Sequence, residues 1–240
     1  MQEDTTAIPH YHALIPAAGA GSRMNAPLPK QYLELAGKPV IQYVMDVFAA
    51  SADIAHVYVV LSPDDTWMGE YVASGKIRFD KNRVSLLDCG GATRRESVMN
   101  ALKVISQHVA DPDWILVHDA ARPGLTVELL DKLIAGIGQD PVGGILALPV
   151  ADTVKRQTES NVRTVSREGL WLAQTPQMFR FSLLLQALEE HPDVTDEAGA
   201  IEAAGHVPRL VEGHLRNSKI TRPDDMQLVE LFLTELTAPE

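Results

Sequence analysis

"LIPAAGAGSRMNAPLPKQYLELAGKPV", residues 14–40, opens with a short apolar run, turns to alanine and glycine, and then carries the isolated cations Arg23 and Lys30. A buried strand that ends in bare backbone lets main-chain N–H groups approach a ligand, and cations just beyond it can reach over phosphates. The segment Gly19-Ala20-Gly21-Ser22-Arg23-Met24 begins like a dinucleotide fingerprint, but Met24 stands where close helix packing needs a small residue. Lys30 is followed by Gln31, not by the Ser or Thr of a Walker loop. A loop that grips a nucleoside triphosphate through backbone and two cations meets these constraints; a tight strand-helix turn with solvated cations is the reading that the loop alone leaves open.

Outward from that loop, apolar runs rich in Val, Ile and Leu recur at 12–16, 56–61, 84–88, 114–118 and 144–149, each followed by a turn signal. They read as buried strands. Helical spacing occupies 39–50, 94–107 and 126–137, and Pro223 with two acids behind it predicts a last helix over about 223–236. Strands alternating with helices predict an α/β, Rossmann-like fold with a mostly parallel sheet covered by helices.

The stretch 150–178 breaks the pattern, being polar with alternating β-formers and no clean helical face. It reads as a protruding β-arm, centred on about 150–172. An exposed strand pair calls for cover, so a homodimer through the arm is expected, with a folded-back lid as the plain alternative. The expected organisation is one domain over residues 1–240.

Composition bounds the partners. With 32 acidic against 21 basic side chains the formal charge is −11, which argues against a phosphate-tracking surface for DNA or RNA. A phosphate ligand would need a local basic pocket. No apolar run approaches the roughly 18 residues of a membrane span, and the acidic start lacks the features of a secretory or transit signal, so no membrane partner and a cytoplasmic location are expected. A single cysteine, Cys89, leaves metal chemistry to oxygen ligands.

Seven further strings give the loop its context: "GGATRRESV" at 90–98, "VHDAARP" at 117–123, "PVADTVKR" at 149–156, "GLWLAQTPQ" at 169–177, "TDEA" at 195–198 and "NSKITRPDD" at 217–225, together with "PKQYLELAGKPV" at 29–40. In this order the chain resembles the 2-C-methyl-D-erythritol 4-phosphate cytidylyltransferases, nearly end to end. The resemblance implies transfer of CMP from CTP to 2-C-methyl-D-erythritol 4-phosphate with loss of pyrophosphate, Mg²⁺ as cofactor, and a homodimer built through the arm.

It also implies roles for residues. Arg23 and Lys30 would stabilise the transition state, and Ala17, Ala18, Gly19, Gly91 and Ser97 would hold CTP, with Arg94 in support. Asp119, Arg122, Thr153, Thr175 and Thr195 would hold the acceptor, and Arg167 and Lys219 would place its phosphate for attack. Thr153 and Arg167 would enter the neighbouring subunit's site. Read from its own residues, Asp119-Arg122 also fits a structural ion pair, Ser97 a helix hydroxyl bonded to its own backbone, and Asp119 a metal contact. The direct metal ligands are left unassigned. Two other functions stay open: a cytidylyltransferase for another alditol phosphate such as ribitol 5-phosphate, and a non-catalytic CTP-binding module.

Overall fold

The computed structural model describes residues 9–19 and 28–234, so Arg23 lies outside the described residues. The first half of the chain supplies β1 (Tyr11–Pro16), the short hairpin β2 (Glu34–Leu35) and β3 (Lys38–Pro39), α1 (Val40–Ala50), β4 (Ile54–Val60), α2 (Trp67–Ala73), β5 (Val84–Leu87), α3 (Arg94–Ile105) and β6 (Trp114–Val117). Then follow α4 (Val127–Ile137), β7 (Gly143–Pro149), β8 (Val154–Gln157), β9 (Val162–Val165), β10 (Trp171–Arg180), α5 (Phe181–Glu190), α6 (Glu197–Ala203), β11 (Arg209–Glu212) and α7 (Pro223–Thr234). The expected strands correspond to β1, β4, β5, β6 and β7, and the expected helices to α1, α3, α4 and α7.

Seven strands form the main sheet in the order β5-β4-β1-β6-β10-β7-β11. All pair in parallel except β10, which runs antiparallel to both β6 and β7. The apolar runs are continuous because both faces are covered. Ala13 and Ile15 of β1, with Trp114 and Leu116 of β6, join the core under α1 and α4, whereas Leu14, Ile115 and Val117 join the core under α3, α5 and α6. A third cluster, including Leu35, Val40, Ala121, Ile220, Val229 and Leu233, seats α7 beside the loop after β6.

The arm is smaller than the sequence suggests. Only β8 and β9 form a separate antiparallel hairpin, from Val154 opposite Val165 to Gln157 opposite Val162. Residues 171–180 are instead a strand of the main sheet, and its later part passes between β6 and β7. Gln174, Thr175 and Gln177 made that segment look solvent-facing, yet all three are buried, and each is hydrogen-bonded to neighbouring protein. The hairpin and the start of β10 leave Val162, Leu170, Trp171 and Leu172 exposed. Within β10 the register to β7 shifts between Ala173 and Gln177, a bulge that turns Thr175 toward the end of β6.

The loop after β6 also sets where the chain's last functional segment lies. Gly124 packs so closely on residues 216–217 that a Cβ there would stand 1.8 Å from the Arg216 carbonyl oxygen. Backbone cannot yield as a side-chain tip can. Gly124→Ala is therefore expected to destabilise the protein by about 1–3 kcal/mol or more, read as a lower urea-unfolding midpoint; an unchanged midpoint would show that the two loops separate freely.

Candidate active site

From the central β1, the chain goes through α1 to β4 on one side and later returns to β6 on the other, so β1 and β6 flank a switch point of the sheet. Loops leaving the carboxyl ends of such neighbouring strands diverge and leave a crevice between them. A cavity of about 670 Å³ lies here, walled by residues 16–19 after β1, residues 91–94 and Ser97 around the start of α3, residues 119–121 after β6, and Lys219 with Thr221.

The first wall is bare and firmly held. Ala17 N–H donates to the Val60 carbonyl at 2.8 Å, and its carbonyl accepts from the buried Gln31 amide at 2.6 Å. Tyr32 is buried beside it, and its hydroxyl donates to Asp65 at 2.8 Å. These two anchors place Lys30, whose Nζ reaches the Ile220 carbonyl at 3.4 Å, on the cavity rim. Gly19 has no positive φ, and among the described residues nothing lies within 4 Å of where its Cβ would stand.

The second wall is shaped by a helix start. Thr93 accepts from Glu96 N–H at 3.1 Å while the Glu96 carboxylate reaches back to the N–H groups of Thr93 and Ala92, a capping box that aims the first turn of α3 at the cavity. Ser97 donates to the Thr93 carbonyl at 2.9 Å and accepts from Gly91 N–H at 3.0 Å. Its hydroxyl is bonded to its own helix, as the plainer reading of the sequence foresaw, and it also fixes the Gly91 loop.

Opposite stands Asp119, only 6% exposed. Its carboxylate accepts from Arg94 Nε at 2.8 Å, Lys219 Nζ at 2.8 Å and Arg122 Nε at 3.4 Å. Burial alone would raise its pKa, but Arg94, Lys219 and Arg122 outweigh burial and hold it well below the usual carboxylate range. Arg94 in turn is gripped by Glu197, Nη1 donating to Oε1 at 2.7 Å and Nη2 to Oε2 at 2.9 Å. Burial disfavours the Arg94 cation, yet the two carboxylates raise its pKa overall. Among the described residues the cavity region thus gathers four cations, Lys30, Arg94, Arg122 and Lys219, against the two carboxylates Asp119 and Glu197. An acidic protein has concentrated a positive surplus where a polyphosphate would need it.

The remaining expected residues divide. Arg122 is buried behind Asp119 and donates to the Asn217 carbonyl at 2.8 Å, so it does not line the cavity. Thr175 is buried as well, accepting from Asp119 N–H at 3.1 Å. Thr195, Thr153 and Arg167 are exposed and stand outside the cavity wall, the last two in the arm region. Glu197 and Gln31 were not singled out from sequence. "TDEA" carried Glu197, but only the fold brings the start of α6 within reach of Arg94. The Thr93-x-x-Glu96 spacing was a readable cap signal.

His118 lies beneath this floor and is fully buried. Its Nε2 faces the Arg122 carbonyl at 3.1 Å, an acceptor only, so Nε2 carries the proton and Nδ1 accepts from Thr175 Oγ1 at 2.9 Å. Burial lowers its pKa from 6.5 to about 4, the hydrogen bond to Arg122 opposing. Between those two values the unfolded chain takes up the proton and the folded one does not. This contribution is therefore complete above pH 6.5 and is lost as pH falls toward 4, in total about 3 kcal/mol. His118→Gln should flatten the dependence of urea-unfolding stability on pH across that window; an equally steep dependence would place the titration elsewhere.

Comparison with known proteins places the chain within one family. The family model described as "IspD: 2-C-methyl-D-erythritol 4-phosphate cytidylyltransferase" matches residues 11–235. The 2-C-methyl-D-erythritol 4-phosphate cytidylyltransferase of Dechloromonas aromatica (strain RCB) is 52% identical over 228 residues, covering 94% of this chain and 98% of that protein. That of Nitrosomonas eutropha is 50% identical over 230 residues, covering 94% and 97%. Among solved structures, a 4-diphosphocytidyl-2C-methyl-D-erythritol synthase superimposes with a TM-score of 0.82 at 40% identity, covering 95% of this chain and all of that one. With a family model matched over residues 11–235 and relatives and a solved structure matched over nearly its whole length, this chain belongs to the IspD family of 2-C-methyl-D-erythritol 4-phosphate cytidylyltransferases.

Proposed function

We propose that this protein transfers CMP from CTP to 2-C-methyl-D-erythritol 4-phosphate, giving 4-diphosphocytidyl-2-C-methyl-D-erythritol and pyrophosphate in isoprenoid precursor synthesis. The observation that carries the reading is the cation-rich crevice at the β1/β6 switch point of a chain that is acidic overall. The acceptor's phosphate oxygen attacks the α-phosphorus in line as the bond to pyrophosphate breaks. No protein nucleophile is required, so catalysis reduces to positioning and fixed positive charge.

Ala17, Ala18, Gly19, Gly91 and Ser97 are proposed to hold CTP, their small side chains leaving backbone groups to read the base and phosphates. Lys30, with Arg23 beyond the described residues, is proposed to meet charge building on the phosphates. Asp119, Arg122, Thr175, Thr195 and Lys219 are proposed for the acceptor. In that assignment Lys219 exchanges its Asp119 partner for the acceptor phosphate, while Arg122 and Thr175 act from behind by orienting Asp119. Thr153 and Arg167 are assigned to the partner subunit's site, through a homodimer that would cover Leu170, Trp171 and Leu172. The proposed unit is one nucleotidyltransferase domain with the arm as its projection.

A divalent cation such as Mg²⁺ fits the donor set as a companion of the triphosphate. Asp119 is the one carboxylate lining the cavity among the described residues, and no cluster of three His, Cys, Asp or Glu side chains there could hold a metal alone. Asp119 would offer oxygen, the phosphates would supply other ligands, and the ion would neutralise phosphate charge. No helix among the described residues is long and apolar enough to cross a membrane, which accords with a proposed cytoplasmic location.

Pyrophosphate release from CTP and Mg²⁺ should require 2-C-methyl-D-erythritol 4-phosphate. Release with ribitol 5-phosphate alone would reassign the acceptor, and CTP binding without release under any acceptor would make the chain a binding module. Lys30→Ala is expected to lower kcat by about 10²–10³-fold, with a much smaller change in CTP affinity; wild-type turnover would remove it from the transition state. Arg167→Ala should lower turnover while the dimer persists. Mixing it with Lys30→Ala subunits should restore part of the activity, because one site of each mixed dimer then holds both native side chains.

A further inference from the structure

Glu197 is the least explained charge in the molecule. It is fully buried, it does not line the cavity, and the partners of its carboxylate are the two terminal nitrogens of Arg94. Burying an ion pair is no efficient route to stability, because well-packed apolar side chains of similar volume usually do as well. A buried charge held at this cost is more informative about geometry than about folding.

The structure spends further polar groups on placing it. Glu197 is the first residue of α6, and the preceding Asp196 caps that helix by accepting from Gly199 N–H at 3.0 Å. Buried Gln177, on β10 in the middle of the sheet, binds both sides of the same turn: its amide donates to Asp196 at 2.9 Å, and its carbonyl accepts from Ala198 N–H at 2.7 Å. The start of α6 is thus tied to the most rigid layer of the fold.

Among the described residues, Arg94 is the cavity-lining partner of that turn's Glu197 carboxylate. A guanidinium has five N–H donors. Glu197 takes two and Asp119 takes one through Nε, and the two that remain have no bond to the described residues, while the side chain is 24% exposed at the cavity wall. With its far end clamped, the plane of the guanidinium is fixed, and so are both Asp119 and the direction of the remaining donors.

We propose that Glu197 is a positioning residue for the reaction, acting through Arg94: its bidentate clamp presents the guanidinium edge to Asp119 and to an anionic or hydroxyl-bearing group of the bound substrates. This rests on the cytidylyl-transfer reading above. A purely structural clamp would leave the kinetics of folded molecules alone, whereas a positioning clamp would transmit its loss to the cavity.

The test compares wild type, Glu197→Gln, Glu197→Asp, Arg94→Lys and the Glu197→Gln/Arg94→Lys double variant in pyrophosphate release. Rates are taken per folded molecule, with the folded fraction read from urea unfolding. Glu197→Gln keeps the shape but turns an amide donor toward a guanidinium donor, and Glu197→Asp keeps the charge but falls short of Arg94. Expected are losses of about 10–100-fold in kcat/KM for either Glu197 variant, and a double variant no worse than Arg94→Lys alone, since Glu197 acts only through Arg94. Wild-type kcat/KM in either folded Glu197 variant, or multiplicative losses in the double variant, would overturn the proposal. Should neither Glu197 variant fold, the role is one of folding and the proposal fails. A wild type that releases no pyrophosphate would instead refute the underlying reading.

Discussion

Asp119 is one buried negative charge that three cations converge on, and much of the active-site region is arranged to satisfy it. Arg94 comes from α3, Arg122 from the loop after β6, and Lys219 from the segment before α7. Each would be costly to bury unpaired, and Asp119 would be costly to bury without them. The shared carboxylate therefore locks together three pieces of chain that are far apart in sequence. Its own backbone is held in turn, through the hydroxyl of Thr175, to a bulge in the one antiparallel strand of the sheet.

That arrangement gives a site whose cations share one carboxylate and can exchange it for a ligand. Lys219 is about a third exposed, and its contact is a single ammonium-carboxylate bond, which a phosphate could replace with little loss. Arg122 is engaged by backbone carbonyls behind the site and has no such freedom. The cavity thus combines rigid support from behind its wall, made by His118, Thr175 and Arg122, with cations on its rim that can turn to a polyphosphate. Preorganised charge of this kind suits a reaction whose transition state differs from its ground state mainly in where phosphate charge resides.

Stability and function meet at the same floor. The neutral, fully bonded His118 supports Thr175, which supports Asp119, so acidification weakens the support before Asp119 itself can take up a proton. Gly124 has a similar double service, since its missing side chain lets residues 216–217 approach and brings Lys219 within reach of Asp119.

The apolar runs alternating with helical segments were enough to determine a mostly parallel helix-covered sheet, while the small-residue loop after β1 and the acidic balance pointed to a local phosphate pocket at a strand end. Those properties depend on local periodicity and composition, and the ordered motifs tied them to one family. Where β10 lies was not legible, because Gln174, Thr175 and Gln177 are polar for internal hydrogen bonding and look outward-facing in a linear reading. Glu197 was hidden for a related reason: its meaning is its contact with Arg94, and only tertiary packing, with α5 lying against both α3 and α6, brings the two together. Sequence states which charges are present; which of them share a carboxylate, and which remain turned toward a ligand, is decided by long-range packing alone.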